Sequence, residues 1–204
     1  MTSSRNKAED DDEVTGRILD AARELVIAFG LRRTTATDVA RRADVSRMTF
    51  YRRFPDIQRV LAALLTRESA VLFAEVADHG TGTARQRLCA TTLAVVRRLS
   101  TDPLLNRVLE VDPEVLLPYL RERTGASQRM FLDLLVAAIT AGHADGSVRE
   151  CDPELAARNI LLMVQVFVMS WAITLRESDP EGALAELGIM LDHYLAPGLS
   201  ERQA

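Results

Sequence analysis

A helical period enters the hydrophobic pattern at Val14. Ile18, Ala21, Ala22, Leu25, Val26 and Phe29 fall at i, i+3, i+4, i+7, i+8 and i+11, one face of an α-helix that Gly30 stops. A short helix over 36–43 follows, with Thr35 as its cap, Asp38 reaching back as in a capping box, and Val39, Ala40 and Ala43 inward. A third helix begins after Ser46 and runs to Phe54, with Val45 and Phe50 placed as a hydrophobic staple. Pro55 opens a fourth, over about 56–78, with Ile57, Val60, Leu61, Leu64, Leu65, Val71 and Leu72 inward. Beyond the polar stretch His79–Thr83, helices are predicted at 84–99, 103–110, 113–122, 126–144, 153–176 and 180–195. Asp-Pro pairs at 102–103, 112–113, 152–153 and 179–180 read as cap-plus-first-turn punctuation. No segment alternates as a strand does, and no internal repeat is present. The fold class is therefore all-α, with about nine or ten helices.

Residues 1–13 have almost no apolar content and are expected to form a disordered tail. The first domain is expected over 14–57 and a larger helical domain over 58–204. The boundary falls inside the fourth helix, because nothing there reads as a flexible linker.

Charge sharpens this division. Residues 14–54 carry nine arginines against four acids, net +5, whereas the whole chain is at −4. A basic segment on an acidic body suits a face meant for a polyanion, although chance clustering gives the same count. Cys89 and Cys151 stand far apart with no neighbouring His or Cys, so free thiols in a reducing cytoplasm are expected, with no metal and no cofactor. The polar, acidic N-terminus is not that of a signal peptide.

The stretch from Thr35 to Phe54 carries the most information. Two short helices joined by a tight turn define a helix-turn-helix, and the small Ala40 and Ala43 let them approach closely. With Val39, Val45, Phe50 and Phe54 filling a small core shared with Val26 and Phe29, the outward side of the third helix is left with Arg47, Met48, Thr49, Tyr51, Arg52 and Arg53. That set offers cations, hydroxyl donors and one amphipathic aromatic, and no acid. It suits a helix lying in a DNA major groove with its N-terminal residues against base edges. For Arg41, Arg42 and Arg52 a merely solvated face is the competing reading.

The motif resembles the signature of the TetR family of bacterial regulators, T-x-x-x-I-A-x-x-A-G-V-S-x-x-T-x-Y-x-x-F preceded by Phe-Gly. The matching positions are Phe29-Gly30, Thr35, Val39-Ala40, Ala43, Val45-Ser46, Thr49, Tyr51 and Phe54. The detailed resemblance covers about residues 14–65. It implies base-facing roles for Arg47 and Met48, and phosphate or groove contacts for Thr35, Thr37, Thr49, Tyr51 and Arg53, with Arg52 a looser candidate. Two positions depart from the pattern. Asp44 replaces the usual turn Gly, which the turn survives because Asp tolerates left-handed backbone. Ile57 replaces a common phosphate-binding Lys, which removes one anchor.

The segment 153–176 is apolar nearly all round, but Asn159, Gln165, Ser170 and Thr174 interrupt it between Arg158 and Arg176, which argues against a membrane span. Such a helix must bury two faces. The last helix repeats Leu184, Leu187, Leu191, Tyr194 and Leu195 at helical spacing. The resemblance implies that these last two long helices form a homodimer interface, placing two recognition helices on a palindromic double-stranded operator. It also implies an effector pocket for a small, largely apolar molecule among the middle helices, with Leu93, Val96, Leu109, Leu116, Tyr119, Phe131, Leu134, Met163, Phe167 and Trp171 as candidate lining, each of which plain core packing would also explain.

The function expected is a repressor released from its operator by that effector through a population shift. The alternative is a helical DNA-binding or protein-interaction module without an effector. An enzyme is not expected, because His79, His143 and His193 join no acid, base or nucleophile constellation.

Overall fold

In a computed structural model, the described residues are 2–76, 81–115, 125–171 and 179–198, with side chains described from residue 12 onward. Among them are nine α-helices and one 3-10 turn, and no strand. The helices are α1 (Thr2–Phe29), α2 (Ala36–Arg42), α3 (Arg47–Arg53), α4 (Ile57–Val76), α5 (Ala84–Ser100), α6 (Pro103–Val111), α7 (Ala126–Ala144), α8 (Pro153–Ser170) and α9 (Pro180–Leu195), with the 3-10 turn at Pro113–Val115 between α6 and α7.

Local chemistry accounts for most boundaries. Thr83 and Gln86 form a capping box at the start of α5: the Gln86 amide donates to Thr83 Oγ1 (3.3 Å), and the Thr83 amide donates to Gln86 Oε1 (2.9 Å). Asp152 and Asp179 cap α8 and α9 with a proline following each, as the Asp-Pro punctuation predicts. The first helix differs from expectation: it begins at Thr2 rather than near Val14, so residues 2–13 are helical and not a disordered tail. Once residues 14–29 are nucleated by their buried face, each added residue gains a hydrogen bond at little cost, and no proline stands in the way.

The chain divides into two compact units, Met1–Glu68 with Pro103–Glu122, and Ser69–Asp102 with Arg123–Ala204. The expected boundary near 57 thus moves to Glu68/Ser69, within α4, and α6 joins the first unit. The physical reason lies in the core of the first unit. Val60, Leu61 and Leu64 of α4, with Leu104 and Val108 of α6, are buried among Ile18, Ala22 and Val26 of α1 and Phe50 of α3. Removing α4 or α6 would leave that core open.

In the second unit, α5 packs against α7, α8 and α9, and α7 packs against α8. Its buried side chains include Leu88, Val96, Leu135, Ile139, Ile160, Val164, Leu187 and Leu191. The turn after α7 ties this unit together through one carboxylate. Asp145 accepts hydrogen bonds from the Ala84 amide at the start of α5 (2.7 Å) and from the Ser147 amide (3.0 Å). The Ser147 hydroxyl, followed by these two amides, holds the Asp145 carboxyl below its ordinary value of 3.8. Among the described residues no helix is long and apolar enough to cross a membrane. Both cysteines are free. Burial, reinforced by Asp192, pushes the Cys89 thiol up to about 11.

A depressed carboxyl contributes stability above its unfolded pKa and loses it as pH falls through the folded value. The wild-type protein should therefore shed stability below about pH 4 in part through Asp145, and Asp145→Asn should flatten that acid limb. Urea midpoints measured from pH 6 to pH 2.5 check this; parallel curves for the two proteins would exclude the contribution.

Candidate nucleic-acid interface

Three short elements of the first unit build the candidate interface. After α1, Gly30 adopts φ +83°, a conformation that only glycine takes without strain, and turns the chain. The Thr34 hydroxyl donates back to the Gly30 carbonyl (2.8 Å). Thr35 then caps α2: its Oγ1 accepts from the Asp38 amide (3.2 Å) and donates to Asp38 Oδ2 (2.6 Å). Asp38 thus does reach back, but to the hydroxyl rather than to the Thr35 amide of a capping box. Between the helices, the Val45 amide donates to the Ala40 carbonyl (3.0 Å), and Asp44 sits at φ +52°. The left-handed residue expected of the turn is therefore in place without glycine. Ser46 caps α3, its Oγ accepting from the Thr49 amide (3.0 Å).

Phe50 decides which way α3 faces. It is fully buried, with Phe54 close to it (ring centroids 6.3 Å apart) and 8% exposed. Tyr51 meets Phe50 edge-on with centroids 5.4 Å apart, yet stays 48% exposed. The opposite side then carries Met48 and Arg52, both exposed, with Met48 81% open to solvent, and Arg47 is exposed at the first position of the helix. Thr35 and Thr37 are exposed on and just inside the start of α2, while Thr49 and Arg53 are half-buried. Among the described residues Met48 is the most exposed large hydrophobic side chain.

Ion pairs sort the arginines. Arg41 pairs with Asp38 (2.8 Å), and Arg42 Nε donates to Glu24 (2.7 Å). Among the described residues Arg47 and Arg52 have no carboxylate partner, so their charge is open to a polyanion. Ile57 is half-buried against the core rather than turned outward, so the anchor that a lysine would supply there is missing. Arg59 is exposed at the start of α4, its amide donating to Asp56 (2.8 Å).

Some expected positions differ. Phe29, expected inside, is 54% exposed, because α1 ends at Phe29 and Leu31, buried after the Gly30 turn, takes the inner place. Val71 of α4, also expected inside, is 52% exposed. The largest miss is Asp112. Its Asp-Pro pair reads as local punctuation, but its carboxylate is wholly buried and accepts from the Leu31 amide (2.6 Å), 81 residues away. A long-range partner leaves no trace in local spacing.

In the second unit, four of the five expected interface residues, Leu184, Leu187, Leu191 and Leu195, are at most 3% exposed and belong to the protomer's own core; Tyr194 is half-buried. The same periodicity describes a core-facing stripe as well as a dimer face, and intrachain packing on α5 takes it. The exposed apolar side chains of α8 and α9 are instead Leu155, Leu162, Val166, Ile189 and Met190.

Of the expected pocket residues, Leu134 lines an open, mostly apolar groove of about 490 Å3 with Phe73, Ala74, Met130 and Asp133. Phe131 stacks on Phe73 at 5.5 Å. Val96 is fully buried, Leu93 and Met163 are half-buried, and Phe167 packs on Trp171 at 5.8 Å. Leu109 sits on α6 in the first unit, so it is not part of the second unit's lining. Leu116 and Tyr119 lie outside the described residues.

Two family descriptions match the chain: bacterial regulatory proteins, tetR family, over residues 18–64, and a tetracyclin repressor-like C-terminal domain over 81–171. An uncharacterised HTH-type transcriptional regulator of Mycobacterium bovis is 36% identical over 188 residues, covering 92% of this chain and 97% of its own. Another, from Bacillus subtilis, is 23% identical and covers 90% of this chain and 95% of its own. Among solved structures, the fatty acid degradation regulator FadR from Bacillus halodurans superposes with a TM-score of 0.65 at 21% identity, covering 91% of this chain and 95% of that one. Its counterpart from Bacillus subtilis, in complex with stearoyl-CoA, gives 0.63 at 20%, covering 88% and 98%. The Rhodococcus erythropolis repressor QsdR gives 0.66 at 16%, covering 90% and 96%. With both halves of its sequence matched and a curated relative aligned along nearly its whole length, the chain belongs to the TetR family of helix-turn-helix DNA-binding transcriptional regulators.

Proposed function

We propose that the protein is a repressor that binds a palindromic operator as a twofold dimer and leaves it when a small, largely apolar effector binds the second unit. The observation that carries the DNA half is the acid-free outward side of α3, held there by the burial of Phe50. Arg47 and Met48 are positioned for base edges, Arg47 with the fork that pairs with guanine. Thr35, Thr37, Thr49, Tyr51, Arg52 and Arg53 supply phosphate and groove contacts. The repressor QsdR, similar in fold, supports the sign of regulation.

The exposed apolar side chains of α8 and of α9 support dimerisation. Leu155, Leu162 and Val166 share one side of α8, and Ile189 and Met190 are exposed on α9. Apolar side chains this exposed on two long helices are costly unless covered. The effector half is supported by the apolar groove at Phe73, Met130 and Leu134 and by the stearoyl-CoA complex of a similar fold.

Fluorescence anisotropy against the chain's own upstream DNA tests the proposal. Tight binding that a scrambled duplex does not compete for is expected; sequence-independent binding alone would contradict it. Arg47→Ala should cost about 1–3 kcal/mol and relax preference at one base pair, whereas Arg52→Ala should weaken all sequences alike and lower the salt slope by about one. Sedimentation equilibrium should find a wild-type dimer and a monomer for the double variant V166E/M190E, with helicity by circular dichroism retained. A dimeric double variant would place the interface elsewhere.

A further inference from the structure

The end of α6 contacts the turn after α1 through a buried side chain. Asp112 is 0% exposed, and it is a carboxylate. Its Oδ2 accepts from the Leu31 amide (2.6 Å) and, at 3.4 Å, from the Arg32 amide. Its Oδ1 has no hydrogen-bond partner among the described residues and faces Arg32 Nε at 3.6 Å. Around it, Arg32 also pairs with Glu114, and Arg107 donates to the Ala28 carbonyl (3.4 Å). A Cβ added to Gly30 would lie 3.0 Å from both Asp112 Oδ2 and Val111 Cγ1. Glycine at position 30 therefore serves two ends: it allows the left-handed turn, and it leaves room for the last turn of α6 to reach the backbone.

A buried carboxylate is an expensive way to satisfy two amides unless its position matters. What it positions is definite. Gly30 to Thr34 is the turn that leads into the Thr35 cap, and α2 then carries α3 through the Asp44 turn. Asp112 reaches that turn from 81 residues away, on a segment whose flanking chain, up to Asp102 and from Arg123, belongs to the other unit.

We propose that the Asp112 carboxylate is a positioning residue for DNA reading: it fixes the turn before α2, and with it the orientation of the α2–α3 pair, so that operator affinity depends on a side chain that touches no DNA. This rests on the regulator reading above.

The test compares the full-length protein with Asp112→Ala and Asp112→Asn. Asparagine keeps a carbonyl acceptor for the Leu31 amide but loses the charge toward Arg32. Amide hydrogen exchange at Leu31 and Arg32 should quicken by about tenfold or more in D112A and less in D112N, following the loss of charge-assisted bonds. Operator affinity by anisotropy should fall in the same order, about tenfold for D112A, while affinity for a scrambled duplex stays within about twofold and the salt slope is unchanged, because no phosphate contact is removed. A merely structural role would lower both affinities together with the folded fraction. D112N carries the test if D112A does not fold. Wild-type exchange and wild-type operator preference in a folded variant would overturn the proposal. A wild-type protein with no preference for its upstream DNA would instead overturn the regulator reading itself.

Discussion

Burial of one ring, Phe50, orders the surface on which the DNA-reading unit depends. Helix α3 has only seven residues, too few to be stable alone in water, so it is held by what it packs against. With Phe50 fully buried beneath it and Phe54 closing its end, the helix has one way to sit. Met48 and Arg52 are thereby turned to the opposite side, while Arg47 at the helix start and Tyr51 beside Phe50 also stay exposed. Specificity toward a partner thus begins as a packing constraint, and the arginines are exposed as a consequence.

The same logic explains why much of the unit was legible in sequence. Caps, staples and turns are local rules, and Thr35, Asp44, Ser46, Asp152 and Asp179 each do what their spacing predicts. Errors arise where the decision is not local. Phe29 fits the helical stripe of α1, yet the chain turns at Gly30 and Leu31 takes the inner place. The Leu184–Leu195 stripe has the period of an interface, but period alone does not distinguish a second subunit from α5 of the same chain. The domain boundary moved because α4 and α6 complete a core that the helix-turn-helix cannot close by itself. Asp112 was invisible for the same reason: its partners are backbone amides 80 and 81 residues away.

The two units therefore carry different kinds of surface. The first exposes charge that its own acids do not neutralise, at Arg47 and Arg52, after spending Asp38 and Glu24 on Arg41 and Arg42. The second exposes apolar side chains on α8 and α9 and an apolar groove at Phe73 and Leu134. A polyanion suits the former; the latter carries the surfaces on which the proposed dimer and effector contacts rest. The chain's membership of a family of DNA-binding regulators agrees with this assignment, and the individual residues named give it content that can be measured.

Met48 offers the most direct view of whether α3 enters a groove. The chain has six methionines, and Met48 is the most exposed large hydrophobic side chain among the described residues. With methyl-labelled methionine, titration with the upstream duplex should shift the Met48 resonance saturably, while a scrambled duplex at the same salt leaves it nearly in place. A Met48 signal that does not move when the duplex binds would contradict the account.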